Sequence, residues 1–575
     1  MRTTHGTGSG RAAARLHLLG KSSLLFLPIF LFFFVLTAFP SSAAELPHVY
    51  ALVNARVVTS AGKVIDKGTV IVRGGVIAAV GAAGAVAVPA DAHVMDLEGQ
   101  TVSPGLIDPY VTVSRLSGVR PPASDDSSAG RRGAGAAAFP QATPAPEPSG
   151  NALPSSKLRP ERTVLSDLKV SSDAREAFRD LGFTVVAAVP DKGILRGESA
   201  VLALSDGPLS RALLVAKSAQ HVARDADAPE FGGEYPGSKM GMAAAVRQAF
   251  SDAKWLPAAD AAYAAKPAGR ARPERYDAWV ALGDAAAGKE PVVFEAPDVL
   301  ALLRYGKIAA EFGLKARYVA TGSDLYVLAD EVRAAKPDLV LSLAFPAAPS
   351  VEDEDEWSDV SLQRLRAWDR AASNPRWMRD LGLTFSLTTH GLPELSDLAD
   401  RAKRARARGL SADDLLAAFT TVPARQLGLA GRAGEIVPGA LANLVVSSGP
   451  LFMERTRVLT TFVDGVPYEV RPKKGAVSGT FKVDDASVAL RTDPRTGQPG
   501  VGVTPAGGGK PVAATNVVRH GQRLTFDVDG APLGLSGPQK AEAVVEGDSL
   551  RLDVRSAAGG PLVSKRGERD RAASG

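Results

Sequence analysis

Hydrophobic and polar positions alternate in short runs over the first part of the chain and in longer, helix-spaced groups over its middle. Val53, Ala55 and Val57 alternate with more polar neighbours, and two apolar runs, 69–72 and 76–80, flank Arg73-Gly74-Gly75. A glycine pair in that position predicts a tight hairpin, because glycine reaches positive φ without steric cost. From Val164 to Leu429, continuous apolar runs alternate with amphipathic stretches, the order of βα units around a parallel sheet. The pattern predicts strands over 183–189, 291–294, 317–320, 339–343 and 384–387, and helices over 172–181, 240–255, 299–312, 325–335 and 395–408. Ser238 is placed to cap one helix, and Ser411 with Asp414 has capping-box spacing for another. Val463-Asp464-Gly465-Val466 predicts a second hairpin. Beyond Gly475 the runs 477–483, 524–528 and 550–554 alternate between glycine-rich segments, which predicts a separate β domain.

Composition and charge narrow the picture. A chain of 575 residues, 45% apolar, divides into several domains with substantial cores. Its start reads as an export signal: Arg11, Arg15 and Lys21, an apolar run over 24–39, then Ser41-Ser42-Ala43-Ala44 as a cleavage site. The run is short of the roughly 20 residues of a spanning helix, so removal leaves no stable membrane span and a periplasmic or extracellular protein. Cleavage there also removes Arg2, Arg11, Arg15 and Lys21, taking the net charge from +5 to +1 (5 − 4). The basic balance is then a targeting feature and argues against a nucleic-acid partner. With no cysteine, disulfides and thiol chemistry are excluded. Residues 117–162, rich in Pro, Ala, Gly and Ser, read as a flexible insertion, and Glu352 to Glu356 as a self-repelling solvated loop. No H-E-x-x-H, G-x-S-x-G, Walker or dinucleotide-binding motif occurs.

Three stretches carry a resemblance. Asn54-Ala55-Arg56-Val57-Val58 and the glycine hairpin precede Pro104-Gly105-Leu106-Ile107-Asp108-Pro109-Tyr110-Val111-Thr112, and Gly434 to Val446 follows at the far end. This order resembles the amidohydrolase superfamily over most of 50–470, closest to its exported, imidazolonepropionase-like branch. Tyr235-Pro236-Gly237-Ser238 and Pro423 to Leu429 look specific to that branch, while Asn443 replaces a usual aspartate. The resemblance implies an α/β fold: a TIM-like (β/α)8 barrel over 102–429, interrupted at 117–162. It also implies a composite β-sandwich domain from 45–101 and 430–470, with the appended β domain over 475–575 and the signal over 1–44.

The family binds one or two divalent metals such as zinc at the C-terminal mouth of its barrel and hydrolyses C–N bonds other than peptide bonds. Its ligands are two histidines on strand one, one each on strands five and six, and an aspartate on strand eight. In this chain those positions fall to Tyr110 and Thr112, Glu295, Thr321 and His390. After signal removal only His48, His93, His221, His390 and His520 remain, and only His221 and His390 belong to the barrel, too few for the family's site. The expectation is therefore no metal and no other cofactor. The chain reads as an exported pseudoenzyme that binds a small molecule in the barrel mouth or partners an active amidohydrolase paralogue. The alternative is an active amidohydrolase with altered ligands or no metal.

Overall fold

The computed structural model describes residues 49–118, 152–224, 235–349, 360–470, 478–492, 499–520, 523–546 and 548–570. The signal over 1–44, the acidic run and most of the insertion lie outside the described residues. The chain divides into two units, residues 1–45 and 46–575, and the barrel belongs to the second.

Its centre is a ring of eight staves carried by two hydrogen-bonded sheets. Leu106–Thr112 and Phe183–Val189, the first two staves, pair in parallel. The fourth to eighth, Gln220–Val222, Val292–Ala296, Ala316–Ala320, Asp338–Ser342 and Phe385–Thr388, form successive parallel ladders. The third departs from a regular (β/α)8 barrel. It returns directly from the second and runs antiparallel to both neighbours, Ala200–Ala203 against the second stave and Leu195–Glu198 against the fourth. Only residues 190–194 link it to the second stave. So short a connection joins antiparallel strands, whereas a parallel crossover needs a dozen residues or more.

Inside the ring the staves alternate, every second side chain pointing inward. Tyr110, Val189, Ala219, Val293, Val319 and Val340 form one buried layer, small aliphatic groups packed around a single large ring. Helices cover the outside. Asp298 caps Val299–Phe312 by accepting from Ala301 N, and Gly313 ends it at φ 62°. Ser411 and Asp414 form the reciprocal capping box of Ala412–Phe419. The helix opening after Ser238 runs on to Ala265, through Pro257, past the 255 that periodicity predicts. The end of the insertion is pinned instead of loose: Lys157 O accepts from Ile194 N at 2.7 Å, and Leu158 is buried.

Strands from both ends of the barrel share one hydrogen-bonded sheet of eight strands. The bend that lets one sheet do this sits in its long strand Val49–Ser60. Asn54 takes φ 58°, the first half pairs with His93–Asp96, and the second pairs with Thr101–Pro104. Asn443 has a visible use here: its Oδ1 accepts from Asp464 N at 2.8 Å and holds the tight 463–466 hairpin. The tail forms a nine-stranded antiparallel sheet around its own apolar core, which includes Phe481, Leu524, Phe526 and Leu552. It docks on the composite sheet through buried polar groups. Arg523 contacts the Tyr50 hydroxyl and lies 2.9 Å from Glu542, and His93 Nδ1 is 2.6 Å from Asp553.

Candidate functional site

Glu295 follows Val293 by two residues, so it shares the inward face one layer nearer the C-terminal rim. Tyr110 reaches the same level from the first stave and donates its hydroxyl to Glu295 Oε2 at 2.7 Å. Arg196, from the inverted third stave, donates Nη1 to the same oxygen at 3.0 Å and lies 3.3 Å from the Tyr110 hydroxyl. His390 stands just past the eighth stave, its Nε2 3.8 Å from Glu295 Oε2 and its ring edge-on to Tyr110 at 4.8 Å between centroids. His221, on the fourth stave, approaches the other side of Tyr110 at 5.6 Å, and neither of its ring nitrogens has a hydrogen-bond partner.

Of the five positions named from the sequence, the fold therefore gathers Tyr110, Glu295 and His390. Thr112 turns to Ser114, 3.2 Å away, which in turn donates to Asp191 at 2.7 Å. Thr321 Oγ1 faces the Ala296 carbonyl at 3.4 Å. Neither threonine joins the cluster. Arg196 is the member that sequence reasoning does not find. Its one signal is a lone arginine in the short apolar run Ile194-Leu195-Arg196, where an unpaired charge would be costly.

Asp108 works beside the cluster as a seam. The first and eighth staves belong to different hydrogen-bonded sheets, and the Asp108 carboxyl bridges them. Oδ1 lies 2.6 Å from Thr388 Oγ1, while Oδ2 accepts from Thr389 N at 2.9 Å and Thr389 Oγ1 at 2.6 Å. Burial raises its pKa against the pull of these bonds.

The charges are arranged to stay fixed. Burial opposes ionisation of Glu295, but the Arg196 guanidinium, then His390, then the hydrogen bonds from Tyr110 and Arg196 outweigh it and hold the carboxyl below its ordinary range. Burial, reinforced by the neighbouring Glu295 charge, pushes the Tyr110 hydroxyl well above its usual value, so it stays a donor. Burial lowers His390 despite Glu295 and takes His221 down to about 3, so both imidazoles are neutral. The mouth thus carries the Arg196–Glu295 ion pair, a phenol and two uncharged imidazoles, with Asp191 close enough to act electrostatically on Tyr110, Arg196 and His390.

Residues 372–479 match the model of the amidohydrolase family. Over that segment the chain is similar to the amidohydrolase family. An amidohydrolase from Thermotoga maritima MSB8 has a similar structure, with TM-score 0.55 and 21% identity, covering 73% of this chain and 100% of that one. A putative prolidase from Bifidobacterium longum gives TM-score 0.44 and 16% identity over 75% of this chain and 97% of that one. At such identities the likeness concerns the fold, a TIM-like barrel with β-rich additions. No curated protein sequence matches the chain.

The divalent metal that this superfamily implies does not fit the donors present. Among the described residues no group of three or more His, Asp or Glu side chains converges on a common point. The one carboxylate oxygen at the centre already accepts from Arg196 and Tyr110. An ion beside it would meet the Arg196 guanidinium and the Tyr110 hydroxyl, and His390 Nε2, 3.8 Å from that oxygen, adds one imidazole where the family's site has four. A cavity of about 880 Å³ lies elsewhere, between the helix Leu398–Ala407 and residues 451–459, and includes none of these groups.

Proposed function

We propose that this protein is an exported amidohydrolase relative that has lost metal-dependent C–N hydrolysis and acts through binding, either of a small molecule at the barrel mouth or of an active paralogue. The observation that carries the reading is the occupancy of Glu295 Oε2: a fixed cation and a phenol proton both sit on the oxygen that would otherwise act on a ligand or a water. A carboxylate held below its ordinary range is a poor base near neutral pH. The charge balance at the mouth suits an uncharged, hydrogen-bonding ligand more than a strongly anionic one.

Elemental analysis of the purified native protein tests this, alongside turnover assays on amide, lactam and dipeptide panels. Substoichiometric zinc, manganese and iron, with rates equal to blanks, are expected. A metal present at about one per chain, whose removal abolishes turnover, would overturn the proposal. The second reading, a hydrolase working without a metal, draws on His390, which is 21% exposed beside Glu295. It requires turnover that survives chelation and is lost in His390→Gln.

A further inference from the structure

Arg196 is held from every side. Nη1 faces Glu295 and the Tyr110 hydroxyl, Nε donates to the Gly193 carbonyl at 3.2 Å, and Nη2 to the Arg224 carbonyl at 3.2 Å. Its side chain is only 5% exposed. A guanidinium cannot shed its proton in a protein, so this is a permanent positive charge in a fixed place. The two groups converging on it, Tyr110 and Glu295, stand on the first and fifth staves, where the superfamily resemblance puts metal ligands. The inverted third stave is what delivers the arginine: Arg196 lies next to Gly197, whose backbone pairs with His221 on the fourth stave.

We infer that Arg196 is a built-in cation that takes the electrostatic place of the divalent metal and excludes one from the barrel mouth. The inference rests on the proposed loss of metal-dependent hydrolysis and supplies its cause. The missing histidines are then half of the change; the other half is a charge that repels a metal even when ligands are supplied. An arginine also needs no loading and cannot be chelated, so the mouth keeps its shape in any metal environment.

The experiment compares full-length wild type, Y110H/T112H, R196M and Y110H/T112H/R196M, each dialysed against zinc and then against buffer, with metal per chain measured by mass spectrometry. The first three are expected to retain only traces. The triple variant adds two imidazoles on the first stave to Glu295, His221 and His390, and is expected to retain about one zinc per chain. Stoichiometric zinc in Y110H/T112H with Arg196 intact would overturn the inference while leaving the native protein's lack of metal untouched. So would a folded triple variant that retains none. Metal already bound to wild type would instead sink the functional reading. If R196M melts too low to assay, R196M/E295Q decides: a cation balancing Glu295 predicts recovery of most of the lost melting temperature, and no recovery overturns the inference.

Discussion

Among the described residues, the same three side-chain types are buried together at two places, with different consequences. At the barrel mouth Arg196 and Tyr110 serve Glu295; where the tail meets the composite sheet, Arg523 serves Glu542 and Tyr50. The interface pair is sealed, each side chain 7% exposed. At the mouth the arginine is buried as deeply, but Glu295 is 20% exposed and two neutral imidazoles flank it. A buried Arg–Glu–Tyr group therefore does not by itself mark a site. What distinguishes the mouth is the access to solvent, the unpartnered His221 and the position at the C-terminal ends of barrel strands, where such folds carry their chemistry.

Substitutions sharpen the contrast. Arg523→Met should cost the most, about 3–5 kcal/mol by chemical denaturation, because it removes the guanidinium 2.9 Å from a carboxyl that is only 7% exposed. Arg196→Met should cost less, about 2–3 kcal/mol, since Glu295 can recruit water or take up a proton. Equal losses at the two places would erase the distinction drawn between them. His221→Leu should stabilise by about 1 kcal/mol, because it removes two buried nitrogens that have no partner. A destabilised variant would mean that His221 holds a partner, such as a water, that matters to the fold.

Glu290 provides the third case, a carboxyl without an arginine. It precedes the fifth stave, far from the rim, and burial together with nearby Glu198 pushes it up to about 7. A carboxyl whose folded value is raised contributes stability that is fully present below its unfolded value, near 4.5, and is lost as pH rises through about 7. Glu290→Gln should therefore match wild type near pH 4.5 and exceed it by about 1 kcal/mol at pH 8, a figure discounted for the carboxyl's partial exposure. Identical melting curves at both pH values would show that burial beside Glu198, without an arginine, does not perturb a carboxyl here.

Much of the fold is readable because it depends on local pattern. The apolar runs that become the second and fifth to eighth staves are continuous, and the caps at Ser238 and Ser411 carry their own hydrogen-bonding logic. The helix beyond Trp255 is not legible because Pro257 reads as a stop, although packing of Leu256 carries the helix through it. The third stave is hidden for a different reason. Strand direction is set by the length of its connection and by both neighbours, and 195–203 is too short and too mixed in composition to announce itself.

The sequence by itself determined that the superfamily's histidines are missing, because identity and count survive any error in drawing the strands. It determined the alternation of strand and helix, because periodicity is a local property. Only the tertiary structure decided what replaced those histidines. Arg196 and Glu295 are far apart in the chain and meet because an inverted strand turns one toward the other across the ring. The pairing of a buried charge is a property of distance in space, and no run of neighbouring residues encodes it.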